Sequence, residues 1–339
     1  MNIGNFKIED RVLIIAEIGS NHNGDFNTAL RLIREAHKAG ADAVKFQTYR
    51  AEKLIHKSEP ALKLVKRRFK TQFERFKSLE FTYKQYKKLH AFTVSRGLLF
   101  VSTPFDEESV YMLEPFVWAY KIASGDIDNV PLLLAISKKA KPILLSTGMS
   151  TVDEIKTALQ RLSKNIVILM HCISNYPCPD SEINLNSIAF LKKKFPKIPV
   201  GLSDHTVGIT APLGAVALGA CTIEKHFTLD NTQPIGDHCL SLEPAEFKDM
   251  VNHIRRIEKM LGDFKKEPSN AELDMRKRLR RGLAASRDIR KGVNINSDMI
   301  IPLRPLRGIP VSQYEYIIGK KTMRNIKKGE FISYCDIAF

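Results

Sequence analysis

The side chains best suited to chemistry stand two residues apart at the ends of short apolar runs. PVGLSDH carries Ser203 and His205, and TIEKHFTL carries Glu224 and His226. Alternate residues of a strand share a face, so each pair acts on one side. Six other runs end in the same manner. RVLIIAEIG offers Glu17 and leads into the polar stretch GSNHNGD, DAVKFQTY offers Lys45 and Gln47, and LLFVSTP offers Thr103. WAYKIASG offers Lys121 and Ser124 with Asp126 just beyond, PILLSTG offers Ser146 and Thr147, and IVILMHC offers His171.

Two lysines in otherwise apolar strands are costly to bury unless they meet an anion. Together with the hydroxyls of Thr103, Ser146 and Ser203, Lys45 and Lys121 form a candidate cradle for phosphate or carboxylate. The competing reading pairs the lysines internally with Glu17 or Asp126. His205 and His226 lie on successive runs, and two imidazoles with open positions suit a divalent cation that polarises a carbonyl. Oxygen ligands from substrate and water would complete such a shell, which fits Mn²⁺ or Mg²⁺ better than a closed zinc site. A plain hydrogen-bonded role is the alternative for either histidine. His22, His171 and His238 are weaker candidates.

Such residues need a scaffold that gathers strand ends. Helical patterns separate the eight runs, for example NTALRLIREAHKAG with apolar Ala29, Leu32, Ile33 and Ala36 and a terminal Gly40. Strands alternating with helices imply parallel pairing through right-handed crossovers. Eight such units in the first 262 residues match a TIM (β/α)8 barrel, whose active sites collect at the carboxyl ends of the strands. An open doubly wound sheet is the runner-up, but no GxGxxG follows the first strand. The stretch between Tyr49 and Leu98 leaves room for a long basic insertion over residues 50–80, in a position where insertions form lids or substrate walls. Residues 263–278 are polar and read as a linker. Residues 279–339 read as a small β-rich module with an internal pseudo-repeat, SRDIRKGVNINSDMI and RNIKKGEFISYCDI.

Composition sets bounds on this picture. The 339 residues are 44% hydrophobic and 27% charged, ordinary for a globular chain with ample core. Five scattered cysteines without a CxxC pair argue against a disulfide framework and a zinc–thiolate site. No apolar run is long enough to span a bilayer, and the N-terminus lacks a basic segment leading into an apolar stretch; a cytoplasmic protein without membrane association is expected. The net charge of +16 lies largely in residues 63–77 and 276–291, neither of which carries a nucleic-acid fingerprint. A basic binding protein, for nucleic acid or another ligand, is the rival class; it leaves the strand-end lysines and histidines unexplained, and no nucleic-acid partner is expected.

Read together, AEIGSNHNGD, VKFQTY, STPFD, YKIASGD, LLSTGMS, HCISNYPCP, GLSDHTVG, EKHFTLD and GDHCLSLEP resemble the sialic acid synthase family. These nonulosonate synthases condense phosphoenolpyruvate with an N-acetylated amino sugar. The resemblance covers nearly the whole chain and implies a TIM barrel followed by a C-terminal SAF (antifreeze-like) domain. It implies that His205 and His226 bind the divalent metal, and that Lys45, Thr103, Lys121, Ser124, Ser146 and Ser203 hold phosphoenolpyruvate. By the same resemblance Gln47, Asp126 and Tyr176 contact the open-chain sugar, while Glu17 and Asp237 manage water and proton transfer. Arg304 of the SAF domain is expected to reach the N-acyl group in the partner's site of a domain-swapped homodimer.

Three departures from the family pattern bear on the sugar: Asp126 where Glu is common, RPLRGI around Arg304, which brings Arg307 into contention, and IGDH before the second acidic site. The expected reaction joins phosphoenolpyruvate, N-acetylmannosamine and water to give N-acetylneuraminate and phosphate. The nearest alternative uses a 2,4-diacetamido-trideoxy hexose and gives legionaminic or pseudaminic acid.

Overall fold

Alternating apolar runs and capped helices close into a barrel in the computed structural model, which describes residues 1–61, 66, 68–234 and 236–338. The barrel strands are β1 (Leu13–Gly19), β2 (Ala43–Thr48), β3 (Leu99–Pro104), β4 (Ala119–Ile122), β5 (Ile143–Ser146), β6 (Val167–Cys172), β7 (Val200–Asp204) and β8 (Thr222–His226). All neighbours pair in parallel, and β8 pairs with β1 to complete the ring. These are the eight apolar runs of the sequence in order. Outside the ring, helix Phe26–Lys38 buries the expected Ala29, Leu32, Ile33 and Ala36, and Asp25 caps it by accepting from Asn27 N.

The interior of the barrel changes character along its axis. Toward the amino ends, Leu13, Ile15, Ala43, Leu99, Val101, Ala119, Leu144, Ile168 and Met170 pack with Ile3, Phe6 and Ile8 of the N-terminal segment. Gly201 belongs to this layer because a Cβ there would lie 2.6 Å from Thr222 O and 2.8 Å from Met170 Sδ. Burying each large apolar side chain contributes about 1.5–3 kcal/mol, so this layer is a rigid floor. An ionic clasp ties the amino ends together: Asp42 receives Arg11 and Arg255, both at 2.6 Å, and Ile14 N at 2.9 Å. Two residues further along each strand the inward side chains become polar, and the site begins there.

The chain divides into two compact units, Met1–Gly262 and Asp263–Phe339. In the second unit β9 (Gly282–Ala285) pairs antiparallel with β10 (Ile300–Leu303) over a core of Leu283, Ala285, Ile289, Ile295, Ile300, Ile309, Ile317, Ile326, Ile332 and Ile337. The pseudo-repeat is physical, since Ile289 of one copy bridges Ile326 of the other. The following Gly292 and Gly329 share the left-handed conformation at φ +84° and +82°. Residues 263–278, expected to be a linker, differ from that reading: Asn270–Leu279 is a helix with a Ser269/Glu272 capping box. It buries no residue, so its apolar periodicity gave no signal.

Candidate active site

The carboxyl ends of the barrel strands open into a cavity of about 540 Å³. Glu17, Lys45, Gln47, Thr103, Lys121, Ser124, Ser146, Tyr176, Ser203, His205, His226 and Asp237 all line it, as do Glu224 and Cys172. Strand parity explains much of this set: Glu17, Lys45, Thr103, Lys121, Ser146 and Cys172 each stand two places from a floor residue on their own strand, as Glu17 does from Ile15 and Lys121 from Ala119.

At its centre Glu224 lies between two buried ammonium groups. Lys45 Nζ is 3.8 Å and Lys121 Nζ 3.6 Å from Glu224 Oε1, which also accepts from Ser203 Oγ at 2.8 Å. Lys45 further pairs with Glu17 Oε2 at 2.8 Å and donates to Thr103 Oγ1 at 3.1 Å. Lys121 donates to Ser146 Oγ at 2.6 Å. The internal pairing with Glu17 is therefore present for Lys45, while Lys121 pairs with Glu224 and not with Asp126.

Burial raises the Glu17 carboxyl to about 7, against the pull of Lys45 and with a further push from Glu224. Burial also disfavours charge on Glu224, but Lys121 and Lys45 overcome it and hold that carboxyl well below the usual range. Lys121 is pushed down, chiefly by desolvation. Lys45 is held above its ordinary value because Glu17 and Glu224 outweigh its burial.

His205 and His226 stand side by side with ring centroids 5.4 Å apart. Burial holds His205 near 4 and His226 near 3, so both are neutral at pH 7. His205 Nδ1 donates to Ile173 O at 2.7 Å, which leaves Nε2 as a lone-pair donor. His226 Nδ1 is buried without a hydrogen-bond partner, 3.9 Å from Asp237 Oδ2. Two neutral imidazoles, one with an orphaned nitrogen beside a carboxylate, fit a divalent cation by donor chemistry. Among the described residues no third His, Cys, Asp or Glu completes a preformed metal cluster. Such an ion would therefore take oxygen ligands from outside the protein.

Tyr176 lies against His205 with centroids 4.0 Å apart and the rings tilted by 34°, and forms a wall. From the insertion, helix Gln72–Leu79 adds Arg75 and Phe76 as a second wall, while residues 62–65 and 67 lie outside the described residues. Gly19 allows the first strand to turn beneath it. Its φ is +49°, and a Cβ would lie 2.9 Å from Glu17 Oε1, the oxygen that accepts from Gln47 Nε2 at 3.1 Å.

Several expected residues stand elsewhere. Asp126 does not line the cavity: it ends the short turn Ser124–Asp126, and its carboxylate accepts from Asn129 Nδ2 at 3.0 Å. His171 faces away from the site toward Ile183 O at 2.7 Å, and Cys172 takes the inward position. Thr147 turns to Met170 O, and His22 is buried in its loop, stacked on Phe81 at 4.4 Å. His238 is held by Thr228 Oγ1 at 2.6 Å. Arg304 and Arg307 belong to the second unit. Reading the strands found Glu224 but gave it no role. Arg75 and Cys172 were missed altogether; the parity of LMHC on β6 could have found Cys172.

A model of the NeuB family matches residues 32–266, well over half of the chain. The chain belongs to the NeuB family. An SAF domain model matches residues 280–338, so this NeuB-family chain pairs a barrel with an SAF domain. It is 42% identical to the N,N'-diacetyllegionaminic acid synthase of Campylobacter jejuni, over 95% of this chain and 99% of that protein. It is 35% identical to human N-acetylneuraminate-9-phosphate synthase, over 94% and 90% of the two chains. Among solved structures, the N-acetylneuraminic acid synthetase of Leptospira borgpetersenii superposes with a TM-score of 0.73 at 40% identity, covering 81% of this chain and 94% of that one.

Proposed function

We propose that this protein is a nonulosonate synthase, condensing phosphoenolpyruvate with an open-chain N-acyl amino sugar and water to release phosphate. The observation that carries the reading is the convergence of two buried lysines, three hydroxyls and two neutral histidines in one cavity at the strand ends. A trianionic enol phosphate suits this cradle. Its phosphate and carboxylate would take over Lys45 and Lys121 from Glu17 and Glu224, with Thr103, Ser124, Ser146 and Ser203 as further donors.

His205 and His226 would hold a divalent cation, Mn²⁺ or Mg²⁺, whose chemistry is to polarise the sugar's aldehyde. Gln47 and Tyr176 orient the sugar so that its carbonyl carbon meets C3 of phosphoenolpyruvate. As the C–C bond forms, positive charge develops at C2, and the carboxylate of Glu17 lies close enough to the lysine cradle to stabilise it. Water adds at C2, and its proton passes by way of Glu17 or Asp237 to the oxygen of the former aldehyde, whose π bond opened as the C–C bond formed. The tetrahedral centre then collapses to the ketone by breaking the C2–O bond, and the lysines stabilise the departing phosphate. Arg304, from the SAF domain of a partner copy, is proposed to hold the N-acyl group; raised sugar KM in Arg304→Ala with unchanged phosphoenolpyruvate KM is the expected result.

N-acetylmannosamine is the sugar expected from the sequence. A 2,4-diacetamido-trideoxy hexose is favoured by two observations: the named activity of the Campylobacter relative, and an apolar rim of Phe76, Phe105 and Met149 suited to a deoxygenated carbon. Phosphate release from phosphoenolpyruvate, measured with each sugar and a divalent cation, tests the proposal. Release that requires one of these sugars supports it, and no release with any of them rejects it.

A further inference from the structure

One charged group at the cavity has no part in the chemistry above. Arg75, on helix Gln72–Leu79, lines the cavity and also a small recess shared with Ser20, Asn23, Arg68 and Gly236. Its Nε is buried without a hydrogen-bond partner, and among the described residues no carboxylate pairs with it. By contrast Arg11 and Arg255 bind Asp42, and Arg50 meets Glu80. Arg75 is half-buried, and its buried Nε–H, left without an acceptor, is costly unless something else supplies one.

The surroundings hold that helix, and so the base of Arg75, in place. Thr71 and Glu74 form a capping box at its start, and Gln72 N donates to Glu59 O at 2.9 Å. Phe76 packs edge-on against Tyr49 at 5.3 Å, and Lys77 pairs with Glu52 at 2.8 Å. The loop after β1 fits directly beneath: Gly24, at φ +78°, has Ser78 O where a Cβ would come within 2.2 Å. Arg75 therefore presents its charge from a fixed wall rather than from a free loop.

Its position and chemistry narrow what it can bind. Ser20 shares the recess with it and donates to Asp237 at 3.5 Å, and Ser20, Gln47 and Asp237 line the cavity together with Arg75. A guanidinium has five N–H donors and no acceptor, and it keeps its charge at any working pH. A hydroxyl is a poor match and a methyl group a worse one, whereas groups that only accept suit it.

We infer that Arg75 determines sugar specificity by binding an acceptor-only oxygen group, an acyl carbonyl or a phosphate, on the half of the sugar remote from its aldehyde. This rests on the synthase reading above. Binding of N-acetylmannosamine, its 6-phosphate and a 2,4-diacetamido-trideoxy hexose is measured by calorimetry on the full-length protein with Mn²⁺, alongside turnover with phosphoenolpyruvate. Wild type is expected to bind at least one of the two acceptor-bearing sugars about 10- to 100-fold more tightly than N-acetylmannosamine. Which of the two it prefers identifies the group as phosphate or carbonyl.

Arg75→Ala should erase that preference while leaving phosphoenolpyruvate affinity and thermal stability unchanged. Arg75→Lys, which keeps the charge and loses the fork, should restore only part of it. Equal wild-type affinity for all three sugars overturns the inference, as does a preference that survives in Arg75→Ala. Failure of turnover with all three, with the affinity pattern intact, would count against the synthase reading and not against Arg75.

Discussion

Glu224→Gln is the most searching perturbation of the site, because one carboxylate faces two buried ammonium groups. The change is nearly isosteric, so packing is preserved and the loss is electrostatic. Lys121 loses the one carboxylate within 4 Å of it among the described residues, and Lys45 retains Glu17 at 2.8 Å. Breaking a buried pair by removing one partner costs about 3–5 kcal/mol. Part of this returns through Glu17, whose raised pKa owes something to Glu224; without that neighbour it ionises more completely at neutral pH and compensates Lys45. A net loss of roughly 2–4 kcal/mol is expected, which for a unit of this size lowers Tm by about 4–16 °C.

The decisive readout is the effect of an anion. Phosphoenolpyruvate or inorganic phosphate brings negative charge back to the lysines, so either should stabilise the variant more than the wild type. Urea denaturation with and without each anion measures both quantities. If the variant matches wild type in stability, or both proteins gain equally from the anion, Glu224 is not what holds the cradle and the electrostatic account fails.

Other expectations follow from the same geometry. Glu17 should set an acid limb near pH 7 in the rate profile, with activity falling as pH drops because the carboxylate is the working form; Glu17→Gln should lose this limb and about 10²–10⁴-fold in rate. For stability the sign is opposite: a carboxyl raised from 4.5 to about 7 stabilises the fold below its unfolded pKa, and that contribution fades as pH rises through 7. His205 and His226, held near 4 and 3, should place no limb between pH 5 and 8, and His226→Ala should abolish metal-dependent activity and weaken Mn²⁺ binding without unfolding the barrel. Gly24→Ala should raise the sugar KM by displacing helix Gln72–Leu79 and with it Arg75, while the phosphoenolpyruvate KM stays near wild type.

The barrel was legible because each strand is a continuous apolar run bounded by turn residues, and the alternation with capped helices leaves few topologies. The inward residues of β1, β2, β3, β4, β5, β7 and β8 were legible for the same reason, since a period of two is rigid once one residue is placed. On β6 the same rule selects Cys172 over His171, because Met170 is part of the floor and Cys172 stands two places on. Asp126 lies beyond its strand in a turn, where period-two reasoning no longer applies. Helix Asn270–Leu279 buries nothing, and only its capping box betrays it. Arg75 was the least legible of all. One basic residue in a run of them looks like solvated charge until the fold shows that it faces a cavity and, among the described residues, pairs with no carboxylate.

The proposed reaction makes one commitment that a single labelling experiment addresses. Phosphoenolpyruvate carrying ¹⁸O in its bridging C2–O position, turned over with the preferred amino sugar and Mn²⁺, should deliver all of that label to inorganic phosphate, because the C2–O bond breaks and solvent water supplies the new ketone oxygen. Label left in the sugar acid, or no sugar-dependent phosphate at all, would contradict the assignment of this cavity to phosphoenolpyruvate condensation.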